Sequence, residues 1–318
     1  MSAMLEVKNL CKRFPTHAGM LHAVEDVTFS IEKGKTLGVV GESGCGKTTL
    51  GRMIVRLLNA TSGQVLYGGE DILQAPDERM MGLRRKMQII FQDPFSSLDP
   101  RMTVSQIIQE PLNIYRMCES RADCRKRVLQ LMDTVGLAAR YENTYPHELD
   151  GGRRQRIVIA RALALDPEFI VCDEPVSSLD VSIQAQILNL LQDLQQEKGL
   201  TYIFITHNLS VVKHISDDIL VMYMGNMVEK CHSKELFRNA MHPYTKALLS
   251  AIPIPKIGAK KYYQPMKGEI TSPVNPKPGC RFAPRCQFCT EACRTINADW
   301  IERTPGHFIA CHALDNTN

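Results

Sequence analysis

Hydrophobic and polar positions along the chain switch repeatedly between a two-residue and a helical period. Val27, Phe29 and Ile31 alternate with Thr28 and Ser30, which predicts a half-buried strand ending at the turn Glu32-Lys33-Gly34. The apolar run Thr36 to Val40 suits a buried strand, and Thr49 to Leu58 suits a helix behind it. Gln64 to Tyr67 and Met87 to Phe91 read as further strands, the first closed by Gly68-Gly69. From about Asp93 to Ala164 the pattern is helical; residues 121–135, for example, carry Val128, Leu131, Met132 and Val135 with Arg and Lys between. Phe169 to Cys172 returns to a buried strand. Val181 to Lys198 is amphipathic, with Ile183, Ile187, Leu190, Leu191 and Leu194 on one face. Thr201 to Thr206, Ile219 to Met224 and Met227 to Cys231 are strands, the last two joined at Gly225-Asn226. Strands alternating with helices predict an α/β core with a largely parallel sheet.

One segment of this pattern carries chemistry at every fixed position. Residues 41–48 read Gly-Glu-Ser-Gly-Cys-Gly-Lys-Thr, which fits G-x-x-x-x-G-K-[ST] between a strand and a helix. Gly41, Ser43, Gly44, Cys45 and Gly46 would curl the backbone so that N–H groups face phosphate oxygens, together with Thr49 at the helix start. Lys47 would reach the β- and γ-phosphates, and Thr48 would ligate Mg²⁺. A second element is Phe169-Ile170-Val171-Cys172-Asp173-Glu174, which places two carboxylates at the C-terminal end of a buried strand. Asp173 is the candidate Mg²⁺ ligand and Glu174 the candidate base for the attacking water. His207 follows the strand Tyr202 to Thr206 and could orient that water; Gln92 ends the strand Met87 to Phe91 and could touch Mg²⁺ or the water.

Length, charge and cysteines narrow the setting. The 318 residues allow a large domain and a smaller one, and a net charge of +4 does not call for nucleic acid. No apolar run approaches the ~18 residues of a membrane span, and Met1 to Arg13 lacks a signal-peptide core. The expectation is a cytosolic protein that meets a membrane only through partners. Residues 252–278 hold six prolines and five lysines and read as a linker or wrapped arm. Cys11, Cys45, Cys118, Cys124, Cys172 and Cys231 are scattered, whereas five cysteines crowd into residues 280–311. Scattered unpaired thiols fit a reducing compartment, so the crowd suggests metal more than disulfides. Cys280, Cys286, Cys293 and Cys311 have the spacing C-x5-C-x6-C-x17-C, which matches neither a ferredoxin nor a zinc ribbon; Cys289 is a spare that could replace one of them.

The order of these motifs resembles the ATP-binding subunits of ABC transporters. Leu149-Asp150-Gly151-Gly152-Arg153-Arg154-Gln155-Arg156 resembles that family's signature Leu-Ser-Gly-Gly-Gln-Arg-Gln-Arg, and Ser177-Ser178-Leu179-Asp180 resembles its D-loop. Gln92 and His207 match its Q-loop and switch histidine. Cys45, Gly51-Arg52, the run Phe91 to Leu98, His242-Pro243-Tyr244-Thr245 and the cysteine-bearing tail are similar to the dipeptide/oligopeptide importer branch, F-type, whose features nickel importers partly share.

The resemblance implies a P-loop core over residues 1–250 with a helical part at about 93–164, an antiparallel region near the N-terminus, a linker at 251–279 and a tail at 280–318. It implies ATP, Mg²⁺ and hydrolysis in a head-to-tail dimer with a second, D-type ATPase subunit. Asp150, Gly151 and Gly152 would then face ATP held by the partner. Two membrane permeases and an extracytoplasmic solute-binding protein would complete an importer at the cytoplasmic face of the membrane. Phe14, placed after the first strand, would stack on adenine. The four tail cysteines would hold a [4Fe–4S] cluster, with zinc as the alternative.

Asp150 departs from the usual Ser. An ionised carboxylate ~4 Å from a phosphate charge is opposed by about 4 kcal/mol at an effective dielectric of 20. The composite site using this signature would then be weakened, with Arg153 partly compensating; alternatively Asp150 turns away and caps its helix. Two readings of other classes use the same residues: a soluble ABC ATPase acting on nucleic acid or ribosomes, and a redox-sensing binding module.

Overall fold

The computed structural model describes residues 3–252, 266, 268 and 272–314. These divide into two compact units. One comprises 3–32, 36–73 and the described residues from 204 onward; the other comprises 33–35 and 74–203.

In the first unit, β1 (Ala3–Thr16) and β2 (Gly19–Glu32) form a long antiparallel hairpin. They are followed by β3 (Thr36–Val40), α1 (Lys47–Ile54), β4 (Ser62–Tyr67) and β5 (Glu70–Asp71). The antiparallel order β2-β1-β4-β5 is the expected N-terminal β region. Val27, Phe29 and Ile31 are buried while Ser30 is exposed, as their alternation predicts. α1 starts two residues earlier than the expected Thr49, because Gly46 takes φ 101° and turns the chain directly into the helix. It also stops short of Leu58, where Arg56 adopts φ 51°.

The second unit opens with α2 (Asp77–Lys86) and β6 (Met87–Ile90). Its helical part holds α3 (Pro94–Ser97), α4 (Val104–Ile114), α5 (Arg121–Thr134) and α6 (Gly151–Leu163). β7 (Phe169–Asp173) pairs in parallel with β6, and α7 (Val181–Lys198) follows. Along α7, Ile187, Leu188, Leu191 and Leu194 are buried, while Ile183 and Leu190 are only half-buried at the edge of the expected face. Cys118 and Cys124 are joined in a disulfide across the turn that Ser120 caps, with Cα atoms 5.3 Å apart. That pair corrects the expectation that all scattered cysteines are unpaired, and so weakens the compartment argument built on it.

The chain re-enters the first unit within β8 (Thr201–Thr206). There it forms α8 (Leu209–Ile215), β9 (Asp218–Tyr223), β10 (Asn226–His232), α9 (Ser233–Asn239) and α10 (Pro243–Ala251). The tail adds α11 (Glu291–Thr295), β11 (Ile301–Thr304) and β12 (His307–Ile309). β9 pairs in parallel with β3, and the tail hairpin extends the same sheet in the order β11-β12-β10-β9-β3.

The tail is therefore not a separate body after residue 280. Phe282 is buried among Val40, Val221, Tyr223 and Tyr244, the residues that underlie the phosphate loop. Most of the expected linker, residues 253–265, 267 and 269–271, lies outside the described residues; Pro273 and Asn275 make backbone hydrogen bonds to His22 and Met20.

A buried carboxylate–imidazole contact fastens the tail hairpin. Glu229 on β10 and His307 on β12 are 0% and 1% exposed, with Oε1 to Nε2 at 2.7 Å. The backbone N–H groups of Met241 and His242 also donate to Glu229, at 2.7 and 3.1 Å. Burial pushes the Glu229 carboxyl upward, but the hydrogen bonds with His307, Met241 and His242 prevail and hold it below its ordinary value. The pair thus stabilises the fold above the ordinary carboxylate range, and that contribution is lost as pH falls through the depressed folded pKa. Glu229→Ala is expected to cost about 3–5 kcal/mol, measured by denaturant unfolding near neutral pH; a loss below ~1 kcal/mol would show that the pair is not what holds the hairpin.

Candidate functional site

The phosphate loop joins β3 to α1. Gly41 has φ 156° and Gly46 has φ 101°; a Cβ on either would lie 2.1 Å from the Met222 carbonyl oxygen or 2.2 Å from that of Ala23. Glycine is thus required at both positions by close backbone approach as well as by φ. Lys47 is 5% exposed, and its ammonium donates to the carbonyl oxygens of Gly41 at 2.8 Å and Glu42 at 3.0 Å. The loop folds over the lysine so that its cation sits at the N-terminus of α1, where the macrodipole also favours anions. Cys45 is buried, and burial pushes its thiol pKa up. Phe14 lies within β1 rather than after it, because β1 runs on to Thr16; its half-buried ring carries the Lys12 ammonium 4.9 Å from the centroid. His207 follows β8 directly and is exposed.

In the second unit, β7 delivers Asp173 at its last position, 1% exposed. A buried carboxylate at a strand end suits a hard divalent cation such as Mg²⁺. Glu174 follows with φ 48°, a conformation that costs a non-glycine residue of order 1 kcal/mol. The turn is fixed by Ser177, whose N–H and hydroxyl both donate to the Glu174 carbonyl, at 3.3 and 3.1 Å. Gln92 Nε2 donates to Glu174 Oε2 at 3.0 Å, so these two predicted residues meet.

The signature segment begins α6. Asp150 is its N-cap: one carboxylate oxygen accepts from the Arg153 N–H at 2.8 Å, and the other pairs with the Arg153 guanidinium. Arg153 also stacks over Tyr141, 5.1 Å from the ring centroid. Asp150 thus both caps its helix and has the Arg153 guanidinium as a counter-ion. The glycines have an intramolecular reason as well. A Cβ on Gly152 would come 2.7 Å from Ile183 on α7, and one on Gly151 would come 3.1 Å from Leu179 of the D-loop.

In the tail, burial, reinforced by the neighbouring thiols, pushes Cys280 up to about 12 and Cys286 up to about 11. Four thiolates would suit a soft metal or an iron–sulfur cluster as a donor set. However, among the described residues no three His, Cys, Asp or Glu side chains are gathered as a metal-holding group.

Glu42 was not singled out by the sequence reading, since it occupies a variable position of the loop motif. Its N–H donates to the Tyr244 hydroxyl at 2.8 Å, which gives a physical role to the His242-Pro243-Tyr244-Thr245 segment: His242 caps α10 and Tyr244 props the loop.

A phosphate loop, an Asp-Glu strand end with its glutamine, and a Gly-Gly signature opening a helix together define an ATPase of the ATP-binding cassette class. Residues 24–177 match the ABC transporter family, and residues 228–293 match the oligopeptide/dipeptide transporter C-terminal region. The chain is 47% identical over 319 residues to the oligopeptide transport ATP-binding protein AppF of Bacillus subtilis, covering 97% of each. It is 56% identical over 253 residues to the OppF protein of the same organism, covering 79% of this chain and 83% of that one. The fold is similar to the dimeric post-hydrolysis structure of the ATP-binding cassette MJ0796 bound to ADP and Pi, with TM-score 0.67 and 30% identity, covering 72% of this chain and 99% of the other. The chain belongs to the ABC transporter ATP-binding family, in its oligopeptide/dipeptide branch.

Proposed function

We propose that this chain is the ATP-hydrolysing subunit of an importer of dipeptides or oligopeptides. The observation that carries the reading is full-length similarity to oligopeptide transport ATP-binding proteins, including the tail, on a chain that keeps Lys47, Asp173, Glu174 and His207. In this reading Lys47 and the loop N–H groups bind the phosphates, and Phe14 contacts the base. Thr48, Asp173 and Gln92 hold Mg²⁺. Glu174 draws a proton from the attacking water, and His207 steadies the γ-phosphate. The signature Asp150-Gly151-Gly152 contributes to ATP held by a second, D-type ATPase subunit. Because Asp150 is neutralised by Arg153, the site it completes need not be electrostatically crippled.

Two permeases and an extracytoplasmic solute-binding protein complete the assembly. Among the described residues no helix is long and apolar enough to cross a membrane, which accords with peripheral attachment through the permeases. Affinity purification of the tagged chain from its native cell is expected to recover two hydrophobic permeases and a second ATPase subunit; recovery with nucleic acid or ribosomes instead would support the soluble ABC reading.

The tail cysteines are proposed to hold a [4Fe–4S] cluster as a structural staple, with Cys280, Cys286, Cys293 and Cys311 as ligands. When bound, it would crosslink a segment too short to bury its own core. Protein purified without oxygen is expected to be brown, with a broad absorbance near ~400 nm from sulfur-to-iron charge transfer. Ser at any of the four should bleach it, and Ser at Cys289 should not. A colourless protein carrying one zinc per chain would replace iron by zinc at the same ligands.

A further inference from the structure

The cysteine-rich tail contacts the phosphate loop through one arginine and the β9–β10 turn beside it through another. Arg285, in the short turn Ala283–Arg285, directs Nη1 and Nη2 at Glu42 Oε2 and Oε1, at 2.7 and 3.2 Å. The two side chains are 8% and 22% exposed, so this bidentate pair is largely shielded from water. Glu42 is thereby fixed at three points. Its carboxylate is held by Arg285, its N–H by the Tyr244 hydroxyl, and its carbonyl by the Lys47 ammonium.

The second arginine acts on the turn between β9 and β10. Arg281 donates to the Met224 carbonyl and, at 3.3 Å, to that of His22. The next residue, Gly225, donates its N–H to the Cys45 carbonyl at 2.9 Å. Between the two arginines, Phe282 packs edge-on to Tyr223, with centroids 5.2 Å apart, and tilted against Tyr244 at 5.3 Å. The tail therefore reaches the loop at residue 42 directly and at residue 45 through the β9–β10 turn.

We propose that Arg285 is a positioning residue for the phosphate loop, through which the tail sets this chain's nucleotide affinity. The inference rests on the ATP-binding reading. A guanidinium fork fixes a carboxylate in direction as well as distance, which a point charge does not. Loss of the fork frees Glu42, and with it the carbonyl that aligns Lys47.

The test is MgATP binding to the full-length chain, by titration with a fluorescent ATP analogue, for Arg285→Gln, Glu42→Gln and the double variant. Each single change is expected to raise Kd about tenfold. The double is expected to lose no more than the worse single, because both remove one interaction. Arg285→Lys, which keeps the charge without the fork, should fall between wild type and Arg285→Gln. A merely structural role would lower the unfolding midpoint and leave Kd unmoved. If Arg285→Gln does not fold, Arg285→Lys and Glu42→Gln form the cycle under the same criterion. A folded Arg285 variant with wild-type Kd, or losses that multiply in the double variant, would overturn the proposal. Failure of the wild-type chain to bind MgATP would instead overturn the underlying reading.

Discussion

Exchange of Glu174 for Gln is expected to slow ATP hydrolysis by about 10²–10⁴-fold, the usual worth of a positioned general base, while MgATP still binds. The amide keeps the size of the side chain, and nothing in the backbone geometry at residue 174 depends on the carboxylate. The unusual φ is fixed by Ser177 through the Glu174 carbonyl. What is lost is proton acceptance. The Gln92 amide, which now donates to Glu174 Oε2, would meet either end of a second amide. The variant should therefore accumulate as an ATP-bound dimer, seen as a mass shift in light scattering when MgATP is added. Turnover within threefold of wild type in the assembled transporter would place the base elsewhere.

Lys47→Ala should act one step earlier and abolish tight nucleotide binding. The ammonium is buried, sits at the start of α1 and is aimed by two loop carbonyls. Charge-assisted hydrogen bonds are each worth about 1.5–3 kcal/mol, so losing one to each of the β- and γ-phosphates predicts a rise in Kd for MgATP of about a hundredfold or more. Calorimetric titration measures it directly. A Kd within twofold of wild type would remove the phosphate-loop assignment.

Much of this site was legible because its parts are local. Thr36–Val40, Val181–Lys198 and Thr201–Thr206 have the limits that their apolar pattern predicts. The phosphate loop and the Asp-Glu strand end follow from neighbours in sequence. β1 was harder, since repeated register shifts against β2 break a simple alternation, and Phe14 fell inside the strand instead of beyond it. The fate of Asp150 depended on whether a carboxylate would prefer a phosphate or the N–H three residues ahead, which composition does not decide.

Contacts distant in sequence were not readable. The reach of Arg285 back to Glu42 spans 243 residues, and the burial of Phe282 beneath the phosphate loop makes the tail part of the unit that holds it. The proline- and lysine-rich stretch before the cysteines read as a linker or wrapped arm, which says nothing of where the tail docks. The pairing of β10 with β9 across Gly225-Asn226 was visible in sequence, but the pairing with β12, which brings His307 to Glu229, was not.

The central claim, that ATP hydrolysis by this chain drives peptide import, is tested most directly in vesicles holding the purified permeases, both ATPase subunits and enclosed MgATP. Uptake of a labelled peptide presented with the solute-binding protein is expected to proceed in step with phosphate release, and Glu174→Gln in this chain should abolish both. Uptake that continues with the variant, or phosphate release that is indifferent to peptide and binding protein, would contradict the account.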